Sequence, residues 1–364
     1  MTGLEHIHGG DLTGACDRYG LDLSEIADFS ANINPLGPPP AVFRELARNM
    51  DLIRHYPEPR CKKLKLALSS YLGVPPECLI IGNGSSELIY LLVREVNCRR
   101  ALTLAPVFSE YGLAVLSVGG EVREVSLNPG DGFALPVDEV IRGLPGCELA
   151  FFCNPNNPTG RLEQRVEMER IIKSAKHSGT LVAIDEAFMD FIPDRDDYTL
   201  LYRAASREGP AVLYSLTKFF GIPGLRLGAM VAPPELISKL EAARDPWSVN
   251  IMAQVAGEVA LQEVAYARET RQLVQRERRF LESEISRLQG IKVFPGAANY
   301  LLLDIRGTGL TSSVLTGKMG AMGILVRDCS SFTGLGQGYI RIAVRLREEN
   351  RRLLAGLQKV TGGI

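Results

Sequence analysis

Apolar runs alternate with amphipathic stretches through the first two thirds of the chain. Leu79 to Ile81, Ala101 to Leu104, Leu149 to Cys153, Leu181 to Ile184 and Ala211 to Tyr214 are short, β-branched or aromatic, and predict strands. Between them, the spacing of apolar positions predicts helices from Glu87 to Val96, near Ser109 to Leu116, and from Glu163 to His177. This βαβα rhythm predicts a mostly parallel sheet covered on both faces, with ligand-binding groups just past the carboxyl ends of its strands. Upstream, residues 1–28 read as a short arm in which Gly9, Gly10 and Gly14 interrupt any long helix. Phe29 to Pro38 is rich in turn formers, a helix is predicted from about Ala41, and His55 to Pro59 reads as extended because residues before proline avoid the helical region.

After Trp247 the pattern changes. Leu273, Phe280, Ile285 and Leu288 keep an approximate helical period among Arg and Glu, which predicts a long solvent-facing helix leading into a second unit. That unit has strand candidates at Ile291 to Phe294, Tyr300 to Leu303, Ile324 to Arg327 and Tyr339 to Val344, with helices near Leu310 to Met322 and Glu348 to Val360. The glycine-rich 334–338 lies between two of these strands and so reads as a loop, since a dinucleotide fingerprint needs a strand before it and a helix after. The expected organisation is an α/β chain: an arm (1–28), a large domain with a mostly parallel sheet (29–255) and a smaller α+β C-terminal domain (256–364).

Composition narrows the function. The chain has 364 residues, 46% hydrophobic and 23% charged, with a net charge of −1, which argues against the broad basic face a nucleic-acid partner requires. Seven scattered cysteines form no CxxC pair and no Cys/His ligand spacing, so they read as small core residues or idle thiols in a reducing compartment, and no metal site is expected. There is no apolar leader and no uncharged run of membrane-spanning length, so a cytoplasmic protein without membrane contact is expected.

Candidate chemistry gathers at strand ends. Lys218 follows the strand Ala211 to Tyr214, with Ser215 and Thr217 just before it and Arg226 just after. Such a lysine can form a Schiff base with a phosphate-bearing aldehyde cofactor, while Ser215 and Arg226 hold the dianion. Gly84, Ser85 and Ser86 open a helix after a strand, where free N–H groups and the helix dipole favour a phosphate, although a plain N-cap would look the same. Asn157 sits in a Pro/Gly-stiffened loop after another strand and can present its amide to a phenolic oxygen. Asp185 ends the apolar LVAI run; a buried carboxylate needs a partner, and a protonated pyridine nitrogen is one, though a helix N-cap is another use. Phe108 could stack on a ring or belong to the core. Asn32 and Asn34 could donate to a ligand or shape a turn, with the turn slightly favoured.

Taken in order, GNGSSE, PNNPTG, DEAF, SLTK and GLRLG resemble the fold-type I pyridoxal-phosphate enzymes of the aspartate aminotransferase superfamily. Within it the chain is similar to histidinol-phosphate aminotransferases and still more to the threonine-phosphate decarboxylases of cobalamin biosynthesis, on HGG, DFSANINPLG, RHYPEP, DEAFMDFIP, PWSVN, GAANYLLL and YIRIAVR. The resemblance implies Lys218 as the Schiff-base lysine, Asp185 as the pyridinium partner, Asn157 as donor to the ring hydroxyl and Phe108 as the stacking ring. It implies that Ser85, Ser86, Ser215 and Arg226 hold the cofactor phosphate, with Tyr56 reaching it from the other subunit of a homodimer with shared sites. Arg341 matches the substrate-carboxylate arginine, while His8, Asn32 and Arg327, with Arg345 as a further candidate, would bind the substrate's phosphate. Phe188 stands where many relatives have tyrosine, leaving Asn157 as the main donor to the ring oxygen.

The implied reaction is decarboxylation of L-threonine O-3-phosphate to (R)-1-amino-2-propanol O-2-phosphate, with histidinol-phosphate aminotransferase as the alternative. A non-catalytic binding relative is a third reading, opposed by retention of both Lys218 and Asp185. The bond perpendicular to the cofactor ring is the one cleaved, so the choice between the two enzymes is geometric and rests on resemblance.

Overall fold

In the computed structural model, which describes residues 8–362, the strands in chain order are β1 (Ala27–Asp28), β2 (Leu79–Gly82), β3 (Arg100–Ala105), β4 (Glu121–Ser126), β5 (Leu149–Cys153), β6 (Leu181–Asp185), β7 (Ala211–Ser215), β8 (Gly228–Val231), β9 (Lys292–Phe294), β10 (Tyr300–Asp304), β11 (Ile324–Leu325), β12 (Arg327–Asp328) and β13 (Tyr339–Ala343). The central sheet has seven strands in the order β2-β8-β7-β6-β5-β3-β4. β3 to β7 pair in parallel, and β8 runs against both of its neighbours. β5 and β7 are buried along their whole length, as expected of parallel strands covered on both faces by helices. The carboxyl ends of β2, β5, β6 and β7 therefore emerge at one edge of the sheet, and they deliver Gly82, Cys153, Asp185 and Ser215 there.

A second, four-stranded antiparallel sheet has the order β12-β13-β10-β9, and β1 pairs in parallel with β11. Ala27 and Phe29 join Leu281, Leu301, Ile340, Leu353 and Leu357 in one apolar cluster. A larger cluster fills one face of the central sheet and takes in Phe294, Tyr300 and Tyr339 of the second, so the two sheets share apolar contacts.

The structure departs from the expected elements in instructive places. β4 is a polar edge strand, EVREVS, without an apolar run to betray it, and β8 is only four residues long and opens with Gly228 and Ala229. The predicted strand Ile324 to Arg327 splits into β11 and β12, which join different sheets. Gly14 does not interrupt the arm: it lies inside the helix Leu12–Tyr19, whose first turn is capped by Asp11 accepting from the Gly14 N–H at 2.9 Å. The long helix Val264–Ile285 buries a stripe through Leu273, Val274, Leu281 and Ile285, so two of the expected apolar positions face the core while Phe280 lies outside the stripe. Among the described residues no helix is long and apolar enough to cross a membrane.

Candidate active site

Past the carboxyl ends of the central strands lies a cavity of about 820 Å³, walled by both sheets and by the start of the chain. Lys218 enters it from the short helix Leu216–Phe219 that follows β7. The lysine is partly buried, and its amine is lowered from its usual 10.5 to about 8, first by burial and then by the Arg226 and Arg341 guanidiniums, with Asp185 opposing. Its carbonyl accepts from Asn34 N–H at 3.0 Å. Asn34 is fixed in the core, its amide donating to Phe219 O, Tyr266 Oη and Thr270 Oγ1, so it shapes the turn; Asn32 lines the cavity, and its buried Oδ1 has no partner among the described residues.

Asp185, at the tip of β6, is buried. Tyr111 Oη donates to its Oδ2 at 2.7 Å and the Ala187 N–H to its Oδ1 at 2.9 Å. Burial pushes its carboxyl up, opposed by these donors and by Lys218. Beside it, the Tyr111 ring stacks on Phe151 (5.0 Å, 4°) and meets Phe108 edge-on (5.5 Å, 82°).

At the edge of the sheet, the helix Gly84–Glu95 begins with Gly84, Ser85 and Ser86 on the cavity wall, beside Ser215 and Arg226. Two glycines make this approach possible. Gly84 has φ +79°, and a Cβ there would lie 2.8 Å from Arg226 Nη2; a Cβ on Gly228 would lie 2.3 Å from the Ser85 nitrogen. The helix N-terminus, three serine hydroxyls and an exposed arginine thus converge on a space that a tetrahedral dianion suits.

A second set of cationic groups comes from the other sheet and the arm. Arg341, buried on β13, donates to Asn157 Oδ1 and to the Ser30 carbonyl (2.8 Å), and its Nε finds no partner among the described residues. Burial lowers it to about 10. Arg327 on β12 donates to Ser331 Oγ at 2.9 Å and lies over the Phe332 ring. Arg345 lines the cavity too, although Glu349 accepts from its Nε and Nη2. From the arm, His8 Nε2 lies 2.9 Å from Glu110 Oε1, and Tyr90 donates to the other oxygen of Glu110 at 3.0 Å. Phe188 lines the cavity and meets Tyr300 edge-on at 4.9 Å.

The structure therefore gathers Lys218, Asp185, Gly84, Ser85, Ser86, Phe108, Asn157, Ser215, Arg226, His8, Asn32, Arg327, Arg341 and Arg345 around one space. Tyr56 stands apart: it is 79% exposed and stacked on Trp247 at 4.6 Å. Sequence reasoning passed over Tyr111, Glu110 and Ser30. For Tyr111 the available signal was its closeness in sequence to Phe108, three residues before it at the entry to a predicted helix.

The site fits pyridoxal phosphate on its own geometry: a buried acid held directly by two neutral donors, a lysine of lowered basicity, and a dianion cradle that a single added Cβ would obstruct. Residues 24–357 match the family model of aminotransferase class I and II, and the chain belongs to that family. Its fold is that of the fold-type I pyridoxal-phosphate enzymes, and use of that cofactor is a property of the family. The threonine-phosphate decarboxylase of Salmonella typhimurium is 38% identical over 363 residues, covering 98% of this chain and 97% of that protein. The crystal structure of L-threonine-O-3-phosphate decarboxylase from Porphyromonas gingivalis, 28% identical, superposes with a TM-score of 0.81 over 91% of this chain and 98% of its own. The histidinol-phosphate aminotransferase of Sinorhizobium meliloti, solved in complex with pyridoxal-5'-phosphate, gives a TM-score of 0.87 over 100% of this chain and 98% of its own; at 22% identity the likeness concerns the fold.

Proposed function

We propose that this chain is a pyridoxal-phosphate-dependent carboxy-lyase that converts L-threonine O-3-phosphate to (R)-1-amino-2-propanol O-2-phosphate and CO2, in cobalamin biosynthesis. The observation that carries the proposal is a single cavity with two donor sets from different elements, in a chain 38% identical end to end with a threonine-phosphate decarboxylase. One set, Ser85, Ser86, Ser215 and Arg226, suits the cofactor phosphate. The other, His8, Asn32, Arg327 and Arg345, remains for a phosphate on the substrate, with Arg341 for its carboxylate.

Lys218 would hold the cofactor's aldehyde through its amine, and the same amine is placed to carry a proton to Cα of the substrate. When bound, the cofactor ring takes up the electron pair left on Cα as CO2 departs. Asp185 keeps the proton on the ring nitrogen, Phe108 supports the ring face, and Asn157, its Oδ1 occupied by Arg341, has its Nδ2 available for the ring hydroxyl. That last bond also ties the carboxylate-binding arginine to the ring's position, so a substrate held by Arg341 is oriented relative to the ring plane.

The same proposal includes a homodimer, in which Tyr56 completes the partner's phosphate cradle. Its support is the exposure of Phe43, Met50, Ile53, Tyr56 and Leu66, large apolar side chains from adjoining stretches of chain that a monomer would leave in water. It includes the division into arm (1–28), large domain (29–255) and small domain (256–364), favoured by the separate sheets, although β1 packs with the small sheet. It also includes a cytoplasmic setting, consistent with seven unpaired cysteines.

The test is incubation with threonine phosphate alone. Stoichiometric CO2 without an oxo-acid acceptor is expected. No release, with amino transfer from histidinol phosphate to 2-oxoglutarate instead, would replace this reading by the aminotransferase.

A further inference from the structure

We infer that Tyr111 is a positioning residue for the acid at the cofactor's ring nitrogen: its phenol keeps Asp185 ionised and aimed, and its ring ties that acid to Phe108. The inference rests on the cofactor reading above and concerns a side chain that would not itself touch the reacting atoms.

The physical problem at Asp185 is that burial favours its neutral form. A neutral carboxyl beside the ring nitrogen would hold the proton itself, leave the ring uncharged and remove its capacity to accept electrons. Two donors oppose this, the Ala187 N–H on Oδ1 and the Tyr111 hydroxyl on Oδ2, and only the second belongs to a replaceable side chain. A phenol suits the task because burial and the neighbouring carboxylate raise it well above its usual range, so it stays protonated and keeps donating at any working pH.

Its orientation is equally constrained. Tyr111 is 0% exposed, lies parallel to Phe151 on β5, and presents an edge to Phe108. The face-to-face contact prevents the ring from swinging, which fixes the hydroxyl on Asp185, while the edge contact braces the residue assigned to the cofactor's face. The acid at one end of the ring and the aromatic surface beside it are therefore registered through a single side chain.

The experiment compares Tyr111→Phe and Tyr111→Leu with the unsubstituted holoprotein. Tyr111→Phe keeps the stacking and removes only the hydroxyl, so its apoprotein should still unfold in one cooperative transition, at a somewhat lower temperature for the lost buried hydrogen bond. With cofactor labelled at the ring nitrogen, the 15N resonance should move towards the unprotonated position, and the cofactor dissociation constant should rise about tenfold, as expected for losing one hydrogen bond to a charged group. Tyr111→Leu should show the same 15N change and also weaken the visible circular dichroism of the bound cofactor, because Phe108 loses its brace. An unchanged 15N position and dissociation constant in Tyr111→Phe would overturn the inference, whatever happens to the rate. Equal dichroism in the two variants would overturn the tie to Phe108. Failure of borohydride to fix the cofactor on Lys218 in the unsubstituted protein would instead bring down the cofactor reading itself.

Discussion

A lysine poised to react is a lysine that destabilises the empty protein, and the effect at position 218 can be measured. Its amine titrates at about 8 in the folded chain against 10.5 ordinarily, chiefly because it is buried and then because Arg226 and Arg341 are near. Below the lower value both folded and unfolded chains hold the proton; between the two values only the unfolded chain does. The unfolded state therefore binds more protons in that window, and this position's contribution to stability improves as pH rises. Integrated from about pH 7 to about pH 9.5, the gain is about 2 kcal/mol. Lys218→Met fills similar space without titrating, so the variant apoprotein should be the more stable near neutrality and should lose about 2 kcal/mol of that advantage by about pH 9.5. Urea unfolding of both apoproteins at the two pH values, at one protomer concentration, reads this directly, because every other titrating group is common to both and cancels. An advantage that stays constant, or grows with pH, would refute the claim that the amine is held in a desolvated, cation-flanked environment. Such a result would also remove the reason for regarding it as a ready nucleophile near neutral pH.

Other expectations concern the walls of the cavity. Arg327→Ala should raise KM for threonine phosphate by about ten- to a hundredfold, the range of a hydrogen bond to a charged group, while cofactor retention on gel filtration is unchanged; equal loss of both would place Arg327 in the cofactor's pocket. Mixing inactive Tyr56→Ala and Lys218→Ala chains should restore about a quarter of the unsubstituted activity, since half the dimers formed at random are hybrids with one intact site. No recovery would argue against a shared site. Gly84→Ala should cost about 1–2 kcal/mol in unfolding experiments and weaken cofactor binding, because the left-handed backbone and the nearby guanidinium both oppose a Cβ. Unaltered cofactor affinity would contradict the cradle.

What was legible from sequence was legible for local reasons. β5 and β6 announce themselves because strands covered on both faces must be apolar throughout, and the polar residue that ends β6 then stands out as Asp185. Phe108, Asn157, Asp185 and Lys218 were legible because each ends or closely follows a strand of the central sheet, whereas His8, Asn32, Arg327, Arg341 and Arg345 were reached through resemblance. β4 and β8 were hidden, one by its polar edge and the other by its shortness and by the glycine, Gly228, that the turn into the helix Gly84–Glu95 requires. Pairings between distant segments were hidden as well: nothing near Tyr111 hints at Asp185, and nothing near His8 hints at Glu110, because both contacts are set by how the helix Glu110–Ser117 lies against the sheet and the arm.

The pairing of β1 with β11 has a consequence for how the molecule is made. Ala27 and Phe29 are made well before the neighbours they need, Leu325, Ala343 and the apolar face of the helix Arg347–Thr361, which lie far downstream. Until those segments are made this apolar stretch lacks the surface it packs against. Lys218 and Asp185 are thus presented by the central sheet itself, whereas the stretch that leads from His8 into β1 is anchored through partners far away in sequence.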